Sequence, residues 1–283
     1  MLKLADRYIK ELVDRALEED IGSGDITTKA IVSDERVLTA ELVFKGEWGI
    51  LCGRAFFEMA FLTLDGKAKF EWNYNEGDEM RGRYVVSSVK ARTDAILSGE
   101  RCALNFISHL SGIATNTRRY VEKAKGKVKV LDTRKTTPLL RLAEKYAVGI
   151  GGGTNHRLGL YDGILIKDNH IRIAGGISNA IEMVKDNVNS QYKVEVEVGN
   201  FGELEEAVRA GADIVMLDNM SEDEVKRAVD IVNKRAEVEI SGGVSIENIG
   251  RLAELGADYI SIGALTHHSV WLDFSLEIMI DNK

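Results

Sequence analysis

The stretch "DIVMLDNMSEDEVKRAVDIVNKRAEVEISGG", residues 213–243, decides the fold. It opens on an apolar run, "DIVMLDN", passes through a charged helical segment, "SEDEVKRAVDIVNKR", and returns to a second apolar run, "VEISGG". The same alternation extends from Lys127 onward, through the strand-like runs "KVKVLDT", "DGILIKD", "KVEVEVG" and "DYISIGA" and a further helix, "SIENIGRLAELGA". The last four of these strands start at Lys193, Asp213, Val238 and Asp258. That spacing is close to the minimum for a strand, a loop and a crossover helix, and the apolar runs suit parallel strands covered on both faces. The expectation is an α/β fold with a (β/α) barrel, complete or incomplete. A doubly wound sheet fits less well, because no GxGxxG joins the first strand to a helix and "GIGGG", 149–153, follows a helix instead.

The first part of the chain has a different texture. Ile9, Leu12, Val13, Ala16 and Leu17 lie on one face of an amphipathic helix. From Thr39 to Thr93 the pattern changes to short alternating runs, "TAELVF", "AKFEWNY" and "RYVVSSVKA", with a helix at "RAFFEMAFLTL" and turns such as "NEGDEMRG", which predicts an antiparallel sheet. A long helix is expected from about Gly99 to Lys125 with Gly126 as its C-cap, and the domain change falls within it.

Composition narrows the function. The chain has 283 residues, 45% of them apolar, which supports a full core and excludes a disordered chain. A net charge of -8 argues against a nucleic-acid or membrane-binding surface spread over the molecule, so any basic site must be local. Cys52 and Cys102 show no CxxC or zinc spacing and read as small buried hydrophobes. The N-terminus lacks the apolar core of a signal peptide, and the most apolar window is broken by Arg54 and Glu58. A soluble, cytoplasmic protein is expected.

The strand ends carry the unusual residues: Arg134 and Lys135; Lys167; Glu197; Asp218; Ser241, Gly242 and Gly243; Gly263. In a barrel these ends converge on one mouth, although any strand can end in polar residues where its loop begins. Arg134, Lys135, His156, Arg157 and Lys167 cluster on or just after the first two strands, where they suit an acidic ligand gripped through its carboxylates; a solvated basic face is the ordinary alternative. Glu197 and Asp218 end consecutive strands. They suit Mg²⁺ shared with phosphate oxygens, general-base work, or a plain salt bridge to Lys167 or Lys135. "SGGVS" and "SIGAL" suit a phosphate site built from backbone amides and helix starts, or simple turns. His267 either reaches that phosphate or lies exposed, while His109, His170 and His268 lack metal-ligand spacing and read as structural.

These segments, taken with "EDIGSGDITT" (19–28), "SGERCALNFISHLSGIAT" (98–115), "DTRKTTP" (132–138), "GGGTNHR" (151–157), "DGILIKDNHI" (162–171), "EVEV" (195–198), "LDN" (217–219) and "GALTH" (263–267), closely resemble the quinolinate phosphoribosyltransferase family, also called nicotinate-nucleotide pyrophosphorylase (carboxylating). The resemblance spans nearly the whole chain. It implies an incomplete (β/α) barrel, residues 111–267, and an N-terminal α/β sandwich domain, residues 1–110, completed by the C-terminal tail 268–283. It implies transfer of phosphoribosyl from PRPP to quinolinate with loss of CO₂ and pyrophosphate, giving nicotinate mononucleotide for NAD synthesis. By the same resemblance Thr133, Arg134, Lys135, His156, Arg157 and Lys167 bind quinolinate, and Arg101 reaches the site of the neighbouring subunit in a homodimer. Glu197 and Asp218 attend the ribose and Mg²⁺, Ser241, Gly242, Gly243, Gly263, Ala264 and His267 bind the 5'-phosphate, and Lys135, Lys167, Glu197 and Asp218 are the catalytic set. No nucleic-acid or membrane partner is implied. Two positions depart from the family pattern: Leu139 stands where a small residue is common, and "THHSVWLDFSL" lacks a proline. The rival readings are a phosphoribosyltransferase or transport-associated paralogue with a different acid, a barrel aldolase with Lys167 as Schiff base, and a non-catalytic binding module.

Overall fold

The computed structural model describes residues 2–33, 36–188 and 191–279 and divides the chain into two units. One unit comprises the chain up to Asn116, Leu142–Gly152 and the segment from Ser269; the other comprises Thr117–Arg141 and Gly153–His268. The expected change at 110/111 thus falls a turn or two later in the same helix, and residues 142–152 group with the N-terminal unit. Residues 280–283 of the expected tail lie outside the described residues.

In chain order the strands are β1 (Val37–Phe44), β2 (Trp48–Ile50), β3 (Lys69–Trp72), β4 (Glu79–Arg81), β5 (Tyr84–Arg92), β6 (Lys129–Leu131), β7 (Ile164–Ile166), β8 (Val194–Val198), β9 (Ile214–Asp218), β10 (Glu237–Ser241), β11 (Tyr259–Ser261) and β12 (Phe274–Met279). The N-terminal unit holds a 4-stranded sheet in the order β12-β1-β5-β3, with antiparallel pairing throughout. In β1 the alternation buries Ala40, Leu42 and Phe44, and Phe44 faces Phe274 of β12 with ring centroids 5.3 Å apart. Helix Arg54–Leu64 packs Phe57 and Phe61 against Phe70 and Trp72, while helix Asp6–Ile21 buries Ile9, Val13 and Leu17 along the predicted face. The long helix begins at Thr93, well before Gly99. Gly99 is not a boundary but a close-packing point, since a Cβ there would lie 3.1 Å from the Phe61 ring.

The second unit holds a 6-stranded parallel sheet, β6-β11-β10-β9-β8-β7, an incomplete barrel in which β6 and β7 do not pair. A single bridge, Leu131 to Thr154, extends the sheet beyond β6. Val194, Val196, Val198, Val215, Leu217, Val238 and Ile240 are buried, and the residues between them, Glu195, Glu197, Met216, Asp218, Glu239 and Ser241, point the other way, into the barrel. Helix Phe201–Arg209 is capped by Asn200, and helix Glu222–Val232 by the Ser221/Glu224 capping box. Asn233 and Lys234, both at positive φ, stop the latter before the predicted end at Arg235. The helix expected over "SIENIGRLAELGA" is reduced to Ile249–Leu252.

Candidate active site

Asp132, fully buried just past β6, organises one side of the barrel mouth. Its carboxylate accepts the Asn155 side-chain amide at 2.7 Å and the His156 backbone amide at 2.8 Å, and Thr154 N donates to Val130 O at 2.8 Å. The "TNHR" loop is thereby laid alongside β6, which brings His156 and Arg157 into one cavity with Arg134. Arg157 is held by its Nη1 donating to Gly163 O at 3.2 Å, where a Cβ on Gly163 would meet the Arg157 Cβ at 3.1 Å. Lys167, at the end of β7, is set by its backbone N donating to His170 Nδ1 at 3.0 Å, which gives His170 its structural task.

A cavity of about 340 Å³ is lined by Thr133, Arg134, Lys135, His156, Arg157 and Lys167 together with Glu197, Asp218, Ser241 and Ser261, and by Leu165 and Met216 as its apolar walls. Residues far apart in sequence thus meet in one hollow. The buried Nε of Arg134 has no hydrogen-bond partner among the described residues. Burial, and then the charge of Arg134, pull the Arg157 guanidinium below its usual range, with Glu195 and Asp162 opposing. Lys167 Nζ is ion-paired with Glu197 Oε2, and Asp218 Oδ1 accepts from Asn219 Nδ2 at 3.0 Å.

The glycine ends continue from this cavity. Gly242 and Gly243 adopt φ of +89° and +63°, and a Cβ on Gly242 would lie 2.1 Å from Asn219 Oδ1. A Cβ on Gly263 would lie 2.9 Å from both Lys135 Cδ and His267 Nε2, so the cation wall and the last strand's loop are contiguous. Thr266 Oγ1 donates to Lys135 O at 2.7 Å. Burial first, then His268 and Lys135, lower the proton affinity of His267. The helices after β10 and β11, Ile249–Leu252 and Ala264–His267, are single turns, so any anion held here would rest on backbone amides rather than on a long helix dipole. Arg101 is exposed on helix Thr93–Ala124 in the other unit, and His109 is hydrogen-bonded through Nε2 to Glu144 at 2.9 Å.

His156 lines the cavity with the expected cations and also reaches the barrel interior. Its Nδ1 accepts the Arg157 backbone amide at 2.7 Å, so the ring proton sits on Nε2, which faces Glu195 at 3.1 Å and Glu239 at 3.6 Å. The ring thus links the Arg157 backbone to buried acid beneath the cavity that it lines. Sequence reasoning assigned no role to Asp132, Glu195 or Glu239. The strict Val/Glu alternation of "VEVEV" and "EVEIS" is the signal for the last two, since an apolar strand buried on both faces has no reason to alternate.

An incomplete parallel barrel whose strand ends gather guanidinium groups, paired carboxylates and glycine turns is the architecture of a barrel enzyme acting on anionic ligands. This chain belongs to the quinolinate phosphoribosyl transferase family: the family's N-terminal domain matches residues 25–111 and its C-terminal domain residues 113–277. It is 44% identical over 282 residues to a probable nicotinate-nucleotide pyrophosphorylase [carboxylating] of Methanocaldococcus jannaschii, with 96% of this chain and 98% of that protein covered. A protein of the same description from Bacillus subtilis is 41% identical over 276 residues, covering 97% and 95% of the two chains. The solved nicotinate-nucleotide pyrophosphorylase of Francisella tularensis superposes with a TM-score of 0.93 at 42% identity, with 98% of each chain covered.

Proposed function

We infer that the protein transfers the phosphoribosyl group of PRPP to the ring nitrogen of quinolinate, with loss of pyrophosphate and CO₂, and so makes nicotinate mononucleotide for NAD synthesis. The observation that carries this reading is the buried, unpartnered Nε of Arg134 beside Arg157 in a cavity that also holds Glu197 and Asp218. A planar diacid satisfies the guanidinium groups, and the carboxylates attend the sugar.

Arg134, Arg157, Lys135 and Lys167 hold the two carboxylates and orient the ring nitrogen toward the anomeric carbon. As the bond to pyrophosphate loosens, that carbon gains positive charge, which Glu197 and Asp218 favour. Once ribosylated, the ring nitrogen carries a positive charge that stabilises the electron pair left by departing CO₂, and the ammonium groups of Lys135 and Lys167 are available to deliver the replacing proton. Glu197 and Asp218, oxygen donors on neighbouring strands, would hold Mg²⁺, which when bound would supply charge neutralisation for pyrophosphate. Lys167 passes from Glu197 to a ligand carboxylate as quinolinate arrives, which frees Glu197. Ser241 and the backbone of Gly242, Gly243, Gly263 and Ala264, with His267, receive the 5'-phosphate.

The active assembly is a homodimer in which Arg101 completes the neighbouring subunit's site. Among the described residues no helix is long and apolar enough to cross a membrane. The thiols of Cys52 and Cys102 are free and buried, which fits a reducing cytoplasm. Incubation with PRPP, Mg²⁺ and either quinolinate or nicotinate, with CO₂ and mononucleotide followed, tests the reading. Turnover of nicotinate without quinolinate turnover overturns it.

A further inference from the structure

Between β6 and β7 the chain runs through two loops, residues 132–140 and 153–163, separated by helix Arg141–Ile150. The first loop carries Arg134 and Lys135, the second His156 and Arg157. Charge works against this arrangement. Arg134 bears on Arg157 as a like charge, and a loop's own backbone does not hold two such groups at a fixed spacing. At the root of the loops Asp132 supplies a tie, through the Asn155 side chain and the His156 amide. Farther along, a second tie is made by a side chain with no part in the chemistry above. Arg141 donates from Nε to Thr136 Oγ1 at 3.0 Å and from Nη1 to Leu158 O at 3.3 Å. Thr136 directly follows Lys135, and Leu158 directly follows Arg157, so both cation pairs lie between the Asp132 tie and the Arg141 tie. The second loop is braced behind that contact, because the Asp162 carboxylate accepts Leu158 N at 2.8 Å and Gly159 N at 2.9 Å. Arg141, Thr136 and Leu158 themselves do not line the cavity.

We propose that Arg141 is a positioning residue: it clasps the loop bearing Arg134 and Lys135 to the loop bearing His156 and Arg157, and so sets the spacing at which the two halves of the cationic wall meet a diacid. This rests on the function proposed above. A guanidinium suits the task where an ammonium does not, since its planar fork sends N–H groups toward two acceptors in fixed directions. The arrangement is fitted to a ligand with two carboxylates. A monoacid can be held by one half of the wall, whereas a diacid gains from both halves only when their separation is already right. Ordering the loops at the moment of binding would cost affinity that pre-organisation preserves. Arg141 thus acts on diacid affinity and on the preference for diacid over monoacid, and not on the sugar donor.

Calorimetric binding of quinolinate and of nicotinate to the full-length protein, beside steady-state KM values for quinolinate and PRPP, tests this. Arg141→Ala should weaken quinolinate binding by roughly ten-fold or more, with nicotinate binding and the PRPP KM each held within about two-fold, contrasts that a general structural defect would not produce. Arg141→Lys keeps the charge but not the fork and should recover little of the loss. Thr136→Val removes the acceptor at nearly constant shape. It should weaken quinolinate by about five-fold in the wild type and add little to Arg141→Ala, while Thr136→Ser, which keeps the hydroxyl, should bind as the wild type does. Should Arg141→Ala fail to fold, the two Thr136 variants decide. A lysine variant equal to the wild type, equal losses for quinolinate and nicotinate, or a Thr136→Val variant indistinguishable from Thr136→Ser overturns the proposal. A wild type that turns over quinolinate beside an unimpaired Arg141→Ala overturns it and leaves the proposed function standing. A wild type that binds quinolinate without turning it over, with the variants weakened as stated, does the reverse, and one that neither binds nor turns it over overturns both.

Discussion

Lys167 and Glu197, side by side at the ends of β7 and β8, are ion-paired to each other. Each group is therefore occupied by the other until a ligand separates them. Replacing Lys167 with Ala should tighten Mg²⁺ binding in the absence of substrates by about three- to five-fold, since a partly exposed pair of this kind contributes at most about 1 kcal/mol. The same variant should raise the quinolinate KM. Magnesium titration by calorimetry checks the first effect, and an unchanged affinity would remove Glu197 from the metal site.

The buried Nε of Arg134 has no hydrogen-bond partner among the described residues, and Arg157 sits beside it. Arg134→Ala should raise the quinolinate KM roughly 30-fold or more, because losing one member of a desolvated charge pair costs about 2 kcal/mol or more. The PRPP KM should change far less. Equal losses for both substrates would mean that the diacid does not bind at this wall.

Gly242 combines a φ of +89° with the close approach of the Asn219 side chain, so an alanine there is strained twice over. Gly242→Ala should destabilise the protein by about 1–3 kcal/mol and also weaken PRPP. Gly256, at φ +90° and with its nearest neighbour at 3.4 Å, provides the control. Thermal melts should show both alanine variants destabilised, while the PRPP KM should rise for Gly242→Ala alone.

How far the sequence could be read depended on what kind of physics each feature used. The βα rhythm was visible because parallel strands and their helices leave a repeating apolar pattern, and the cavity residues were visible because strand ends converge by topology alone. The placement of β12 beside β1 is a long-range antiparallel pairing, and only the family resemblance pointed to it. What the helical period could not show was the limit of an element: Gly99 sits inside a helix because a phenylalanine ring presses on it, and Asn233 ends one because it adopts a left-handed conformation. The acids Asp132, Glu195 and Glu239 were hidden by an assumption. Reading the strands as apolar on both faces passed over the period-two glutamates that make this barrel's interior polar.

Leu139 adopts φ +69° in the loop after β6 and leaves its side chain 72% exposed. A left-handed conformation costs a residue with a Cβ about 1–2 kcal/mol, whereas glycine adopts it freely at an entropic cost of roughly 0.5–1 kcal/mol. So exposed a side chain contributes little burial to offset the strain. Leu139→Gly should therefore stabilise the protein slightly, by about 0.5–1 kcal/mol from the difference of those two terms. Its kinetic constants should stay near those of the wild type, because Leu139 does not line the cavity. Denaturant melts at neutral pH give the sign directly, and a lower midpoint for the glycine variant would show that contacts of the leucine outweigh its backbone strain.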